Sequence, residues 1–572
     1  MLRPRRPRGW SALATALALT ACGEPAGPPP STSPAPPTQP IVVTIVVDQL
    51  AAWVAYERLG ELPASGGFAR LRREGTWTLA MRYEHAVTDT GPGHSALYTG
   101  AVPAISGIFA NEVLGDTGDP ESILRDPTSR ILTADGPSSR AGSSLAALSP
   151  DTVADRLRAE RPDAVIISLS LKDRGALFGG GRHPTASLWF DAKENRFVTS
   201  TAVASTFPAW AGAFAHDAVA RAESSTWTPL ERSWVAAHAM TPDDQSGEGD
   251  YPGYGIVFPH SLAAAREPAA VFRASPFSDD VLFMLALLAL DAEHARDHTT
   301  LLALSLSAND AIGHTFGPDS WEAWDELLRL DRSLARFLSV LDAFFGHDGY
   351  AVLLTGDHGT TPMPEVGRHR YCDGPDPWLR ACGTGHRVIP RELARSLAAA
   401  AREALGPGDW IAGVSDPYVY LAPAARALDP ARQRTLYEAL RAATLAHPGV
   451  ARVLDIAAIP QQCPGFADES VDALVCRSVA PAARARGAAL YVVLQPGSFF
   501  DATYVVGKGT SHGSPYAFDR TVPLLVRAPG RVAAGAFRET ATFDAFARTA
   551  ADLLRVSPPR EAIAAKSLVE PP

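Results

Sequence analysis

Basic runs are missing from the 572-residue chain once its N-terminus is passed, and the formal net charge is −10. A nucleic-acid binder needs a cationic face, so this charge balance argues against one. Cysteine is scarce, with five in all, and none shows the closely paired spacing of a structural zinc site. No short-period repeat runs through the chain. The apolar run near the N-terminus, Trp10 to Ala21, is shorter than the roughly 20 residues that span a bilayer. The rest is ordinary for a soluble globular protein: 46% hydrophobic and 20% charged residues. The length suits one large α/β domain carrying insertions.

Arg3, Arg5, Arg6 and Arg8 precede the short apolar run, the pattern of a secretory signal over residues 1–22. Its end, Leu19-Thr20-Ala21-Cys22, resembles a bacterial lipoprotein cleavage box, in which Cys22 becomes the lipidated first residue. A Pro-rich linker follows at 23–40. The expectation is an exported protein, periplasmic or on the cell surface, held to a membrane only through that lipid. Oligomeric state is not written in the sequence. The other four cysteines suggest two disulfides in an exported chain. Cys372 with Cys382 and Cys463 with Cys476 is the simplest of the three connectivities.

From Ile41 the pattern becomes α/β. Four short apolar runs, at 41–47, 164–170, 300–307 and 350–356, suit strands buried on both faces of a mostly parallel sheet sandwiched by helices. An amphipathic stretch at 320–345 reads as one such helix. The catalytic domain is expected over 41–560, with inserted cap segments at roughly 183–290 and 365–510 and the sheet resuming at 521–530. Chemically capable residues come directly after each of the four runs: Asp48, then Lys172 and Arg174, then Asp310 and His314, then Asp357 and His358. Open α/β sheets bind ligands at the carboxyl ends of their strands. One polar residue there is usually a cap; four sets in succession point to a site.

The stretch "VTDTGPGHSALYTG" places Thr90 before Gly91-Pro92-Gly93. Pro is favoured at the first helical position, so Thr90 is expected at or beside an N-cap, where free backbone N–H groups attract anions. The ligand inventory gives such a hydroxyl a use. Asp48, Asp310, His314, Asp357, His358 and His512 make three carboxylates and three imidazoles, enough for two zinc sites of three ligands each. Asp310 and His314 are spaced i, i+4, so one helical turn directs both at one ion. Asp357 and His358 are adjacent in "TGDHGTTP", and His512 lies in "GKGTSHGSP", which are loop sequences. Two metals side by side clamp a phosphoryl transfer, and metal contact turns a threonine hydroxyl into a nucleophile.

The motifs "VVDQL", "TDTGPGH", "SLKDRGA", "ND" with "GH.FGP", "TGDHG" and "GTSHGSP" resemble the alkaline phosphatase superfamily across most of 41–530. The nearest likeness is to bacterial phosphate-irrepressible alkaline phosphatases that use threonine, relatives of the nucleotide pyrophosphatase/phosphodiesterases. That resemblance implies two Zn2+, one on Asp310, His314 and His512, the other on Asp48, Asp357 and His358, with Thr90 as metal-contacting nucleophile. It implies phosphate-ester substrates, with Asn111, Lys172 and Arg174 binding the phosphoryl oxygens. Ser106-Gly107-Ile108 stands where the family often has His-Gly-Ile. His94 matches a family position and is expected to pack, or to support a ligand from behind, rather than to ligate. His85, His183, His260, His369 and His386 have no partner at ligand spacing, and Thr88 lacks the Gly-Pro start behind it.

The expected activity is hydrolysis of phosphate monoesters through a phosphothreonine. The alternatives are a diesterase or nucleotide pyrophosphatase on the same metals, and an inactive lipid-anchored binding protein of the same fold. A sulfatase is set aside, because Thr90-Gly91-Pro92-Gly93 supplies neither the formylglycine precursor nor its arginine.

Overall fold

The computed structural model describes residues 37–115, 118–501, 509–537 and 539–570. The expected signal, Cys22 and most of the linker lie outside them. The main sheet comprises β1 (Ile41–Val47), β2 (Thr76–Arg82), β3 (Arg125–Thr133), β4 (Gly136–Ser143), β5 (Val165–Ser170), β6 (Ala186–Asp191), β7 (Arg196–Ser200), β8 (Thr300–Leu306), β9 (Ala351–Thr355) and β10 (Thr521–Arg527). Their order is β2–β10–β9–β1–β8–β5–β6–β7–β3–β4, with short strands at 535–536 and 541–542 pairing along β2. The five central strands, β9 through β6, are parallel. The longer strands on both flanks pair antiparallel, and the two short edge strands pair parallel to β2.

Strand β1 shows why the centre of the sheet is stable. All seven of its residues are buried, and the pleat sends alternate side chains to opposite faces. Ile41, Val43, Ile45 and Val47 join a core with Trp53, Phe68 and the long helix Trp321–Phe345. Val42 and Val46 join the opposite core, with Ala96, Leu97 and Tyr98 of α1 (Thr90–Thr99). Each such side chain contributes about 1.5–3 kcal/mol when fully buried. Thr44, the polar exception, meets the Tyr98 hydroxyl at 3.0 Å.

The two interrupting stretches behave differently. Residues 183–290 begin with β6 and β7, which continue the main sheet, and afterwards become helix and loop with one short antiparallel pair, Thr226–Trp227 with His260–Ser261. Residues 365–510 hold a separate antiparallel sheet of Ile411–Ser415, Tyr418–Leu421, Ala488–Leu494 and Val450–Asp455. Helices Pro390–Leu405 and Pro430–Leu445 share that sheet's own apolar core, through Leu393, Leu397, Leu436 and Leu440. Both disulfides form with the sequence-local pairing, Cys372–Cys382 and Cys463–Cys476. Among the described residues no helix is long and apolar enough to cross a membrane.

Candidate active site

Sheet order does the first work of assembly. Strands β9, β1, β8 and β5 are consecutive neighbours and run the same way, so their carboxyl ends lie side by side. Asp357 and His358 come after β9 and Asp48 after β1, while α2 (Ala308–Phe316), with Asp310 and His314, comes after β8 and Lys172 after β5. Helix α1 starts directly on the Asp357 loop: a Cβ at Gly93 would sit 2.2 Å from the Asp357 carbonyl oxygen. Asp89 is the N-cap and Thr90 the first helical residue, which puts Pro92 third rather than first. That position is still within the first turn, where Pro is tolerated.

Two buried clusters result. Asp310, His314 and His512 bring their ligand atoms within 4.8 Å of one another, and so do Asp48, Asp357 and His358. In the first, His314 Nε2 is 3.1 Å from Asp310 Oδ1 and 3.2 Å from His512 Nε2. In the second, His358 Nε2 is 3.3 Å from Asp48 Oδ1 and 3.5 Å from Asp357 Oδ2. All three imidazoles are oriented alike. Nδ1 of His314 meets the Thr510 carbonyl at 2.8 Å, Nδ1 of His358 the Gly359 carbonyl at 2.9 Å, and Nδ1 of His512 the Thr88 carbonyl at 2.8 Å. A ring tied this way through Nδ1–H presents Nε2 as its ligand atom. Oδ1 of Asp48, Oδ2 of Asp357 and Nε2 of His358 are buried and make no hydrogen bond. Buried polar atoms are nearly always satisfied, so three such atoms in one spot fit a cation. The mixed nitrogen and oxygen donors suit zinc and tolerate cobalt or manganese.

Lys172 stands between the clusters. Its Nζ is 2.6 Å from Asp48 Oδ2, 2.6 Å from Asp310 Oδ2, and donates to the Thr90 hydroxyl at 3.1 Å. Burial pushes the Asp48 carboxyl up, as does Asp310, but Lys172 and His358 hold it below the usual range. Burial likewise opposes ionisation of Asp310, and His314 and Lys172 win there by a wide margin. Thr90, Asn111, Lys172, Arg174, Asp310, His314 and His512 all line one cavity of about 430 Å3. Asn111 accepts the Gly91 N–H on Oδ1 at 2.7 Å, which leaves its Nδ2 to donate. Arg174 is half-buried, with Nη1 3.7 Å from Asp173 and no hydrogen bond on its buried Nε.

Residues 42–513 match the type I phosphodiesterase/nucleotide pyrophosphatase family. The chain belongs to that family. Alkaline phosphatase PhoV of Synechococcus elongatus is 32% identical over 359 residues, covering 60% of this chain and 64% of PhoV. Alkaline phosphatase PafA of Elizabethkingia meningoseptica is 30% identical over 342 residues, covering 56% of this chain and 60% of PafA. The chain therefore matches under two thirds of the length of either relative. The crystal structure of PafA superposes with a TM-score of 0.79 over 93% of this chain and 98% of that one, at 24% identity. The fold is thus that of an alkaline phosphatase: a large mixed α/β sheet between helices.

Three residues join the site without having been singled out in the sequence. Gln49, in the left-handed region at φ 67°, donates from its backbone N–H to Asp357 and from Nε2 to Asp310, tying the two clusters together. Its place in "VVDQL" was the available signal. Asp89 lies 3.2 Å from His512 Nδ1, a contact that no local pattern encodes. Asp416, from the separate sheet, lines the same cavity. His94 is not in either cluster: Nδ1 is 3.0 Å from the Thr90 carbonyl and 3.1 Å from Asp357 Oδ2, and Nε2 meets Ser305 at 2.9 Å. His260 is buried against Glu322 at 3.0 Å. His85 is enclosed by Tyr83 and Phe543, and burial pulls it down to about 3.

Proposed function

We propose that this protein is an exported di-zinc phosphomonoesterase working through a phosphothreonine, anchored by lipid at Cys22. The observation that carries the reading is the shared cavity in which Lys172 reaches the Thr90 hydroxyl while Asn111 and Arg174 line the same space. Asp310, His314 and His512 would hold one ion, and Asp48, Asp357 and His358 the other, with Thr90 as the nucleophile beside them. Zinc, when bound there, supplies Lewis-acid charge and lowers the pKa of a hydroxyl it contacts.

Thr90 Oγ1 forms a bond to phosphorus as the bond to the ester oxygen breaks, and the alcohol departs with a proton. Water then attacks phosphorus, releasing inorganic phosphate and restoring the Thr90 hydroxyl. Arg174 offers parallel N–H donors and Lys172 a compact charge to the non-bridging oxygens. A monoester carries more charge there than a diester, so these cations favour its transition state. The family's own description favours a diesterase, the second reading. Lys172 and Arg174 weigh against it, since a diester needs an apolar pocket for its second substituent.

Acid quenching during turnover of a 32P-labelled aryl phosphate should leave label on the peptide carrying Thr90. Thr90→Ala should abolish both label and turnover; turnover surviving in that variant would overturn the nucleophile. Cys22→Ser should release the protein from membranes, and unchanged membrane association would overturn the anchor.

A further inference from the structure

Arg273 sits in a stretch that is otherwise closed to solvent. Val271, Phe272, Ala274 and Ser275 are all fully buried, and Phe272 packs on Phe190 with ring centroids 4.8 Å apart. Only Arg273 emerges from this run, half-buried. It lines the 430 Å3 cavity that contains Thr90 and also a second cavity of about 620 Å3. Lys172 and Arg174 line both as well, so the two spaces adjoin at the phosphoryl-binding side chains.

Most other cations lining these cavities have an acid close by, and the two that do not among the described residues, Arg391 and Lys193, are solvent-exposed. Lys172 pairs with Asp48 and Asp310, Arg174 lies near Asp173, Arg140 pairs with Asp191 and Glu194, and Arg125 lies near Glu121. Among the described residues, Arg273 has neither an ion pair nor a side-chain hydrogen bond. The acid that lines both cavities with it, Glu112, is solvent-exposed. An arginine offers a fork of donors matched to carboxylate or phosphate. Buried flanks fix its backbone before any ligand arrives, which lowers the cost of binding.

We propose that Arg273 forms an anion subsite beside the reacting phosphoryl group, selecting monoesters whose alcohol portion carries a second anionic group. The inference rests on the phosphomonoesterase reading. A charge that meets the alcohol portion rather than the reacting phosphoryl group acts alike in ground and transition states, so its effect falls mainly on KM. Its size is that of one charge-assisted hydrogen bond, about tenfold.

The test compares kcat/KM for 4-carboxyphenyl phosphate and phenyl phosphate on the zinc-loaded full chain, with wild type, Arg273→Ala and Arg273→Lys. Comparing variants with wild type cancels the intrinsic reactivity of the two esters. The expected result is a roughly tenfold fall in the carboxylated-to-plain ratio for Arg273→Ala, carried by KM, and partial recovery in Arg273→Lys. An unchanged ratio overturns the subsite. A parallel loss on both esters also overturns it, and assigns Arg273 to the reacting phosphoryl group. Calorimetric binding of 4-carboxyphenylphosphonate against phenylphosphonate reads the same ratio without turnover. If wild type cleaves diesters and neither monoester, the parent reading fails, and the phosphonate ratio still decides the subsite.

Discussion

The ammonium of Lys172 and the hydroxyl of Thr90 are 3.1 Å apart, joined by a hydrogen bond between residues 82 positions distant in sequence. The same ammonium sits 2.6 Å from a carboxylate oxygen of each candidate metal-ligand cluster. One buried cation thus holds two buried carboxylates together and faces the group proposed to attack phosphorus.

That arrangement predicts a metal-dependent stability effect. Removing one partner from a buried charge network costs about 3–5 kcal/mol, and Lys172 is only 6% exposed. Metal-free Lys172→Met should melt well below metal-free wild type. Zinc should narrow the gap, because ions binding only the folded state stabilise it and supply the missing positive charge. Calorimetry with and without zinc checks this. Equal melting of the two metal-free proteins would contradict it.

His94 predicts a metal-affinity effect without being a ligand. It hydrogen-bonds the Thr90 carbonyl and Ser305, and its Nδ1 lies 3.1 Å from the Asp357 carboxylate. Groups that hold a ligand from behind are worth about 10–100-fold in metal affinity. His94→Gln should weaken one zinc by that order in a chelator competition and leave the other nearly intact. Two unchanged affinities would contradict the linkage.

The disulfide Cys463–Cys476 closes 13 residues of sequence. Loops of about that length contribute roughly 3 kcal/mol in the chain-entropy account. Cys476 lies on helix Val471–Ser478, whose Arg477 donates to the Glu84 carbonyl and whose Ser478 accepts the Ala86 N–H at 2.7 Å. This helix therefore braces the segment leading into Thr90. The double variant Cys463→Ser/Cys476→Ser should lose about 3 kcal/mol in denaturant unfolding. A loss below about 0.5 kcal/mol, an ordinary surface value, would contradict the bracing.

Much of the site was legible in the sequence because buried parallel strands read as continuous apolar runs, and the residues just past each run land on one edge of the sheet. Asp48, Lys172, Asp310 and Asp357 were readable for that reason. The i, i+4 spacing of Asp310 and His314 survives as one turn of α2. Less was legible where a strand is antiparallel or partly exposed. β2 has only two buried residues, Thr78 and Met81, among half-buried ones, and β6 and β7 sit inside a stretch that reads as an insertion. Contacts such as Gln49 with Asp310, 261 positions apart, or His512 with the Thr88 carbonyl, 424 apart, leave no local trace. They depend on the assembled sheet.

The most direct test of the monoesterase reading is kcat/KM for an aryl phosphate monoester against the matching diester, on purified zinc-loaded protein, in wild type and in Lys172→Ala/Arg174→Ala. Wild type should show a large monoester preference that collapses in the double variant. A diester preference in wild type, unmoved by the two substitutions, would contradict the reading and make the chain a phosphodiesterase.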